Sequence, residues 1–254
     1  MNDLPKDFAG RSALVTGAGS GIGAACAEAL AARGAARLFL NDITSEGIDA
    51  LDLGGCEVVP VIGSVADPGL WHSLEGELAG LDHVIVNAGI GSGGALSSLS
   101  LEDWRKVMAV NLDGAFLTLS TAMRAMADSG GSAVIVSSTT GLKPVPGIGP
   151  YGVSKAAVAH MARIAAAEGA AQNIRVNAIA PGGVDTAIWE SSPDFQHSVK
   201  ARGREATLKA MASTTPLGRF ATPAEIAASI LFLLSDAAVN VTGHVMVSDG
   251  GFTL

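Results

Sequence analysis

An α/β fold is predicted for this chain: one domain over residues 1–254, built on a doubly wound parallel sheet of about seven strands with helices on both faces. Three observations predict it. Short, near-continuously apolar runs alternate with helical patterns from end to end, as strands buried on both faces of a sheet require. The first run is followed at once by a glycine-rich turn, Thr16-Gly17-Ala18-Gly19-Ser20-Gly21-Ile22-Gly23, and then by an alanine-rich amphipathic stretch. No linker, internal repeat or low-complexity tract divides the pattern.

The predicted strands are Ser12–Thr16, Arg37–Asn41, Glu57–Ile62, His83–Asn87, Ala133–Ser138, Arg175–Ala180 and His244–Ser248. Helices fill the gaps. The first runs from about Gly21 to Arg33 and stops at Gly34, a glycine suited to a left-handed C-terminal cap. Another follows Ser100, where Ser-x-x-Asp103 resembles a capping box. Thr222-Pro223-Ala224-Glu225 places Thr at N-cap, Pro at N1 and Glu at N3 of a further helix. Pro150 suits the first turn of a helix running to about Ala170, and Asn111 falls in mid-helix. Residues 187–216 break the alternation, being polar and weakly periodic. Because they directly follow a strand's C-terminal end, they are expected to form a lid over the reacting site.

Composition narrows the class. Apolar residues make up 48% of the chain and mean hydropathy is +0.39, yet no apolar run approaches the roughly 20 residues a membrane span needs. The first residues have neither a basic segment nor an apolar core, so a cytoplasmic protein with no membrane partner is expected. A net charge of −8 without a Lys/Arg cluster argues against nucleic-acid binding. Cys26 and Cys56 are the only cysteines; Cys26 reads as a small buried hydrophobe and no disulfide framework is supported. The histidines, at 72, 83, 160, 197 and 244, lack ligand spacing, so no metal is expected.

The glycine turn brings backbone and a helix N-terminus to where a pyrophosphate would lie. Gly17 permits the turn, Gly21 removes a side chain from the phosphate path, and Gly23 allows close helix–strand contact. Asp42, 25 residues beyond Gly17, ends the second strand, where a carboxylate accepts from adenosine ribose hydroxyls. A 2′-phosphate there meets like charge, and neither the turn nor Ile43-Thr44-Ser45 supplies a cation. NAD is therefore expected in preference to NADP. Asn87-Ala88-Gly89 closes the fourth strand at the cofactor edge. Tyr151, the only tyrosine, stands one helical turn before Lys155. An ammonium so placed is expected to lower the phenol's pKa from about 10, letting it exchange a proton with an alcohol or carbonyl oxygen. Ser137 and Ser138 both end the fifth strand, and either hydroxyl reaches the same oxygen.

Together these motifs resemble the short-chain dehydrogenase/reductase family over nearly the whole length. The resemblance rests on Thr16–Gly23, Asn87-Ala88-Gly89, Asn111, Ser138, Tyr151/Lys155, Pro181-Gly182-Gly183-Val184-Asp185-Thr186 and Ser248-Asp249-Gly250-Gly251. It implies a Rossmann-like fold and an NAD-dependent interconversion of a secondary alcohol and its ketone. The family's 13-residue serine-to-tyrosine spacing selects Ser138 over Ser137. By the resemblance Tyr151 is the general acid/base and Ser138 orients the substrate oxygen. Lys155 binds the nicotinamide ribose and tunes Tyr151, while Asn111 holds a water in a proton relay. The cofactor is expected to touch Gly17, Ser20, Gly21, Ile22, Gly23, Asp42, Ile43, Asn87, Ala88 and Gly89, with Pro181, Gly182, Val184 and Thr186 lining the nicotinamide. Where the family often has Asp-Val against adenine, this chain has Ser64-Val65, so a modified adenine contact is expected. A mainly apolar pocket from Thr139–Pro146, Ile188, Trp189, Phe195 and Met211 is expected, as is a homotetramer. Two alternatives stay open: an NADPH-dependent 3-oxoacyl-thioester reductase and a non-catalytic NAD-binding sensor.

Overall fold

In the computed structural model, which describes residues 6–91 and 93–254, seven strands pair in parallel in one sheet. They are β1 (Ser12–Thr16), β2 (Arg37–Asp42), β3 (Glu57–Ile62), β4 (His83–Val86), β5 (Gly131–Val136), β6 (Ile174–Pro181) and β7 (Val245–Ser248). Their order is β3-β2-β1-β4-β5-β6-β7. The winding direction reverses between β1 and β4, which opens the crevice where doubly wound sheets bind ligands at the strands' C-terminal ends. The first five residues, which carried the argument about a leader, lie outside the described residues, as does Ser92.

Successive side chains of a strand point to opposite faces, so each strand feeds two cores. Val15, Leu38, Ile85 and Val134 form one with α1 (Gly21–Ala32) and α9 (Pro223–Leu234), through Cys26, Leu30, Ile230 and Leu233. Leu14, Phe39, Val84 and Ile135 form the other with α5 (Gly114–Ala125) and α6 (Gly149–Gly169), through Leu119, Val158 and Ala162. Cys26 is fully buried, and burial pushes its thiol pKa up, which makes it the inert hydrophobe expected.

Most element boundaries agree with the sequence patterns, and the differences have local causes. Helix α1 ends at Ala32 and Gly34 follows at φ +96, the left-handed geometry that favours glycine there. Ser100 caps α4 (Leu101–Met108), accepting from the Asp103 N–H at 3.0 Å. At α9 the full capping box forms: Glu225 N–H donates to Thr222 Oγ1 at 3.2 Å and Thr222 N–H to Glu225 Oε2 at 2.8 Å. Strand β5 stops at Val136, so Ser137 and Ser138 lie just beyond its end, and Ser138 opens a 3₁₀ turn over Thr139–Gly141. Asn111 is not within a regular helix. Residues Ala109–Asp113 form a wider π turn between α4 and α5, the sort of irregularity that marks functional sites.

The segment after β6 is not a featureless excursion. It comprises a 3₁₀ turn (Ala187–Ser191), α7 (Pro193–Arg202) and α8 (Arg204–Ala212), the two helices meeting at Gly203, φ +82. Two short helices, α2 (Glu46–Asp49) and α3 (Pro68–Leu74), complete the α-helices among the described residues.

Candidate active site

The C-terminal ends of β1, β2, β4, β5 and β6 gather the predicted site residues along one edge of the sheet. The glycine turn is built around close approaches. A Cβ on Gly23 would lie 2.0 Å from the Gly17 carbonyl oxygen, so α1 can start against β1 only with glycine there. Gly21 adopts φ +54 and faces Thr186, whose Cγ2 would be 3.2 Å from an added Cβ. Ser20 precedes α1 in extended conformation without a side-chain cap, leaving the first N–H groups of the helix aimed outward. This cradle fits a pyrophosphate: it has backbone donors, a helix N-terminus and no side chain at Gly21. A cleft of about 640 Å³ opens beside Gly21 and Thr186, walled by Glu28, Arg204 and Thr222; it lies at this end of the site and not over Tyr151.

Asp42 is bound into the turn. Its Oδ2 accepts from Gly19 N–H at 2.8 Å and its Oδ1 from Ile43 N–H at 2.7 Å. Two backbone bonds leave each oxygen a further lone pair for a ribose hydroxyl. Ile43 beside it is exposed. Ser64 is partly buried and accepts the Ala66 N–H at 3.2 Å, keeping its own hydroxyl proton free to donate. Val65 is buried; its side chain would collide with any Cβ on Gly114, and its carbonyl accepts from Trp71 Nε1 at 2.8 Å. Ser64 is thus the half of the pair able to present a polar atom.

Asn87 ties β4 to β1. Its Nδ2 donates to the Thr16 and Gly17 carbonyls at 2.9 and 3.2 Å. Thr16 Oγ1 returns the link by accepting the Asn87 and Ala88 N–H groups at 3.0 and 3.1 Å. The sequence reading missed Thr16 as the partner in this clamp. A Cβ on Gly89 would meet both Asn111 Oδ1 and Lys155 Nζ at 3.3 Å, so the glycine opens the floor on which those two converge.

Asn111, buried in its π turn, accepts Ile90 N–H at 2.8 Å and donates to the Ile90 carbonyl at 3.0 Å and Ser154 Oγ at 3.2 Å. Its side chain holds the β4 loop to α6, with both amide protons donated and one Oδ1 lone pair left over. Lys155 Nζ donates to the Val136 carbonyl at 2.8 Å, and Ser137 Oγ donates to the Lys155 carbonyl at 2.6 Å. Ser137 therefore anchors the lysine's backbone, which leaves Ser138 facing the site. Ser138 Oγ accepts from Thr140 N at 3.2 Å and from Thr140 Oγ1 at 3.0 Å.

The titration of this group differs from expectation. Burial pushes the Tyr151 phenol above its ordinary pKa, and hydrogen bonding from Ser138 opposes that rise. Lys155 does not produce the lowering expected of it. Its Nζ sits 5.7 Å from the ring centroid and is aimed at Val136, and burial brings its own pKa down to about 8. Within the chain desolvation outweighs the attraction between the two groups.

The strand β6 exit is tightly packed. Gly182 N–H donates to the Ser248 carbonyl at 3.0 Å, and a Cβ on Gly182 would lie 2.8 Å from Asp249. Gly183 lies against the Phe220 ring, where a Cβ would come within 2.2 Å. Trp189 stacks on that ring at 5.5 Å and 11°, and its Nε1 donates to the Val184 carbonyl at 2.7 Å. Phe195, expected to line the pocket, is buried with its ring 6.3 Å from Trp189, so it packs the segment from behind. Among the described residues no cluster of His, Cys, Asp and Glu could hold a metal ion.

A family model described as "Enoyl-(Acyl carrier protein) reductase" matches residues 17–253. A solved structure, a short-chain type dehydrogenase/reductase from Mycobacterium marinum, superposes with a TM-score of 0.84 at 33% identity, covering 98% of this chain and 97% of that one. The chain belongs to the short-chain dehydrogenase/reductase family. As a member it is an oxidoreductase using a nicotinamide dinucleotide, NAD or NADP. A relative from Sinomonas cyclohexanicum, cis-4-hydroxycyclohexanecarboxylate dehydrogenase, is 40% identical over 98% of this chain and 99% of its own length. The 3-oxoacyl-(acyl-carrier-protein) reductase of Thermotoga maritima is 37% identical over 96% and 98%.

Proposed function

We propose that this protein is an NAD-dependent dehydrogenase that interconverts a secondary alcohol and its ketone, with Tyr151 as general acid/base. The observation that carries the reading is the convergence of Ser138, Tyr151, Lys155 and Asn111 at the sheet edge beside the glycine cradle. Bound in that cradle, NAD supplies the hydride acceptor and NADH the donor. The chain's residues do the rest. Ser138 donates to the substrate oxygen and fixes it beside the phenol. In the oxidative direction Tyr151, having first released its own proton to the relay, would take the alcohol's O–H proton as phenolate while hydride leaves the carbinol carbon, and in reduction the phenol would return that proton to the carbonyl oxygen. Lys155 stands 5.7 Å from the ring and, turned toward the open floor at Gly89, binds the nicotinamide ribose. Asn111 holds the floor in place and orders the water that relays the proton.

Asp42 supports NAD over NADP, because its carboxylate is fixed by two backbone N–H donors where a 2′-phosphate would have to sit. The same residue weighs against the NADPH-dependent 3-oxoacyl-thioester alternative. A cofactor-binding sensor without turnover has no use for a serine, a tyrosine and a lysine assembled at one edge. Residues 187–216 act as the lid of a single domain, held down by Trp189 on Phe220. The identity of the Sinomonas relative supports a cyclic alcohol as the substrate class. Exposed Phe116, Val153 and Ile164 on α5 and α6 support a homotetramer assembled through those helices. The unpaired Cys26 and Cys56 support a reducing, cytoplasmic setting.

Tyr151→Phe tests the mechanism. Loss of the proton-transferring group is expected to lower kcat by about 100-fold or more while NADH binding stays near the wild-type value. Turnover surviving in that variant would remove Tyr151 from the chemistry.

A further inference from the structure

The hydroxyl of Thr140 has no part in the reaction outlined above, yet it points at the one serine that does. It donates to Ser138 Oγ at 3.0 Å while the Thr140 backbone N–H donates to the same oxygen at 3.2 Å. A serine hydroxyl has two lone pairs and one proton. With both lone pairs filled from Thr140, Ser138 can act only as a donor, and its proton must turn toward the remaining open side. Tyr151 lies on that side, near enough for Ser138 to oppose the rise that burial imposes on the phenol's pKa.

The backbone places Thr140 independently of its hydroxyl. A Cβ on Gly141 would lie 2.6 Å from the Lys155 carbonyl carbon and the Ala156 nitrogen, so the turn packs tightly against α6. A Cβ on Gly152 would lie 3.1 Å from the Thr140 carbonyl oxygen, so the same turn also abuts the residue next to Tyr151. The 3₁₀ turn therefore holds residue 140 over Ser138 whatever its side chain, whereas only a hydroxyl there fills the second lone pair.

We propose that Thr140 is a positioning residue: by donating its side-chain hydroxyl to Ser138 it compels Ser138 to direct its proton at the Tyr151 phenol and the substrate oxygen between them. The inference rests on the functional reading above for its catalytic consequence, and on geometry alone for its effect on Tyr151.

Because Tyr151 is the only tyrosine in the chain, its ionisation can be followed directly by tyrosinate absorbance without substrate. Lys155 is the charged group beside the phenol and is untouched by changes at 140. The experiment compares wild type, Thr140→Val and Thr140→Ser. Thr140→Val frees Ser138 to rotate, so the tyrosinate midpoint should rise by about half to one pH unit and kcat should fall about tenfold, with KM for NADH unchanged. Thr140→Ser should match wild type in both. A Thr140→Val midpoint and kcat equal to wild type overturn the proposal. So does a Thr140→Ser variant as impaired as Thr140→Val, which would assign the effect to lost methyl packing. If the wild type turns over no alcohol or ketone, the functional reading fails, and the titration still decides the role of Thr140.

Discussion

On the proposed reading Asp42 sets the choice of cofactor, and it does so while already doing structural work. Its two oxygens hold Gly19 and Ile43, so the carboxylate cannot swing away from an incoming 2′-phosphate without breaking two backbone bonds. Asp42→Ala is expected to bring NADP affinity up toward that of NAD, at a cost to NAD binding as the ribose contact disappears. Parallel titrations of the variant with both nucleotides check this, and an unchanged preference would reduce Asp42 to a turn residue. Single residues were legible from sequence where the motif itself sets the backbone geometry, as in Gly21 at its positive φ and Gly23 against the Gly17 carbonyl. They were poorly read where the role depends on a contact from a distant strand or a neighbouring turn. Thr16 looks like the end of a strand until Asn87 is seen across from it. Thr140 looks like a pocket residue until its hydroxyl is seen on Ser138. The pKa of Tyr151 was read in the wrong direction, because spacing reports a neighbouring charge and says nothing of burial.

Elements were legible where a period of two or 3.6 residues is joined to a stop signal. Strands β1 and β3 match their sequence patterns end to end, and Thr222-Pro223 with Glu225 marks the start of α9 unmistakably. The wide turn at Ala109–Asp113 was not legible, since its residues fit an ordinary helix and only packing around Asn111 opens it. Helices α7 and α8 were missed because both are short, polar and weakly amphipathic, and part of what holds them is charge pairing back to the start of the segment. Arg204 pairs with Asp185 at 2.6 Å and Glu190 at 3.2 Å, fastening α8 to the start of the same segment. All three groups are largely solvated, so Arg204→Ala is expected to change the global melting temperature little. Local opening should respond more strongly. Limited proteolysis within residues 187–216 should speed up several-fold, and addition of NADH should slow it in both proteins. An unchanged cutting rate would mean that the Trp189–Phe220 stack holds the segment without help from Arg204.

For the molecule as a whole, acid sensitivity is set in part by a histidine far from the active edge. His83, at the start of β4, is buried against Phe8, and its Nδ1 bonds Ser132 Oγ at 2.8 Å. Ser132 in turn donates to the Leu234 carbonyl at 2.8 Å, so the histidine is the donor to Ser132. Burial lowers the His83 pKa from 6.5 to about 4, the nearby Asp82 carboxylate opposing that shift only in part. The folded chain thus resists a proton that the unfolded chain accepts. The His83 contribution to stability is constant above about pH 6.5 and falls as pH drops from there toward 4, by on the order of 3 kcal/mol. Chemical unfolding midpoints across that range should decline in wild type and flatten in His83→Asn, which keeps a donor for Ser132; equal slopes would place the acid response elsewhere.

The doubly wound sheet, the cradle beside Gly21 and the Ser138–Tyr151–Lys155 group all serve one claim, that the chain moves hydride and proton between NAD and a secondary alcohol. A fluorescence titration with NADH and with NADPH, followed in the same cuvette by a panel of cyclic and open-chain secondary alcohols and ketones, tests it most directly. Selective NADH binding with turnover of at least one panel member is the predicted result. Binding of neither nucleotide, or tighter binding and faster turnover with NADPH, would contradict it.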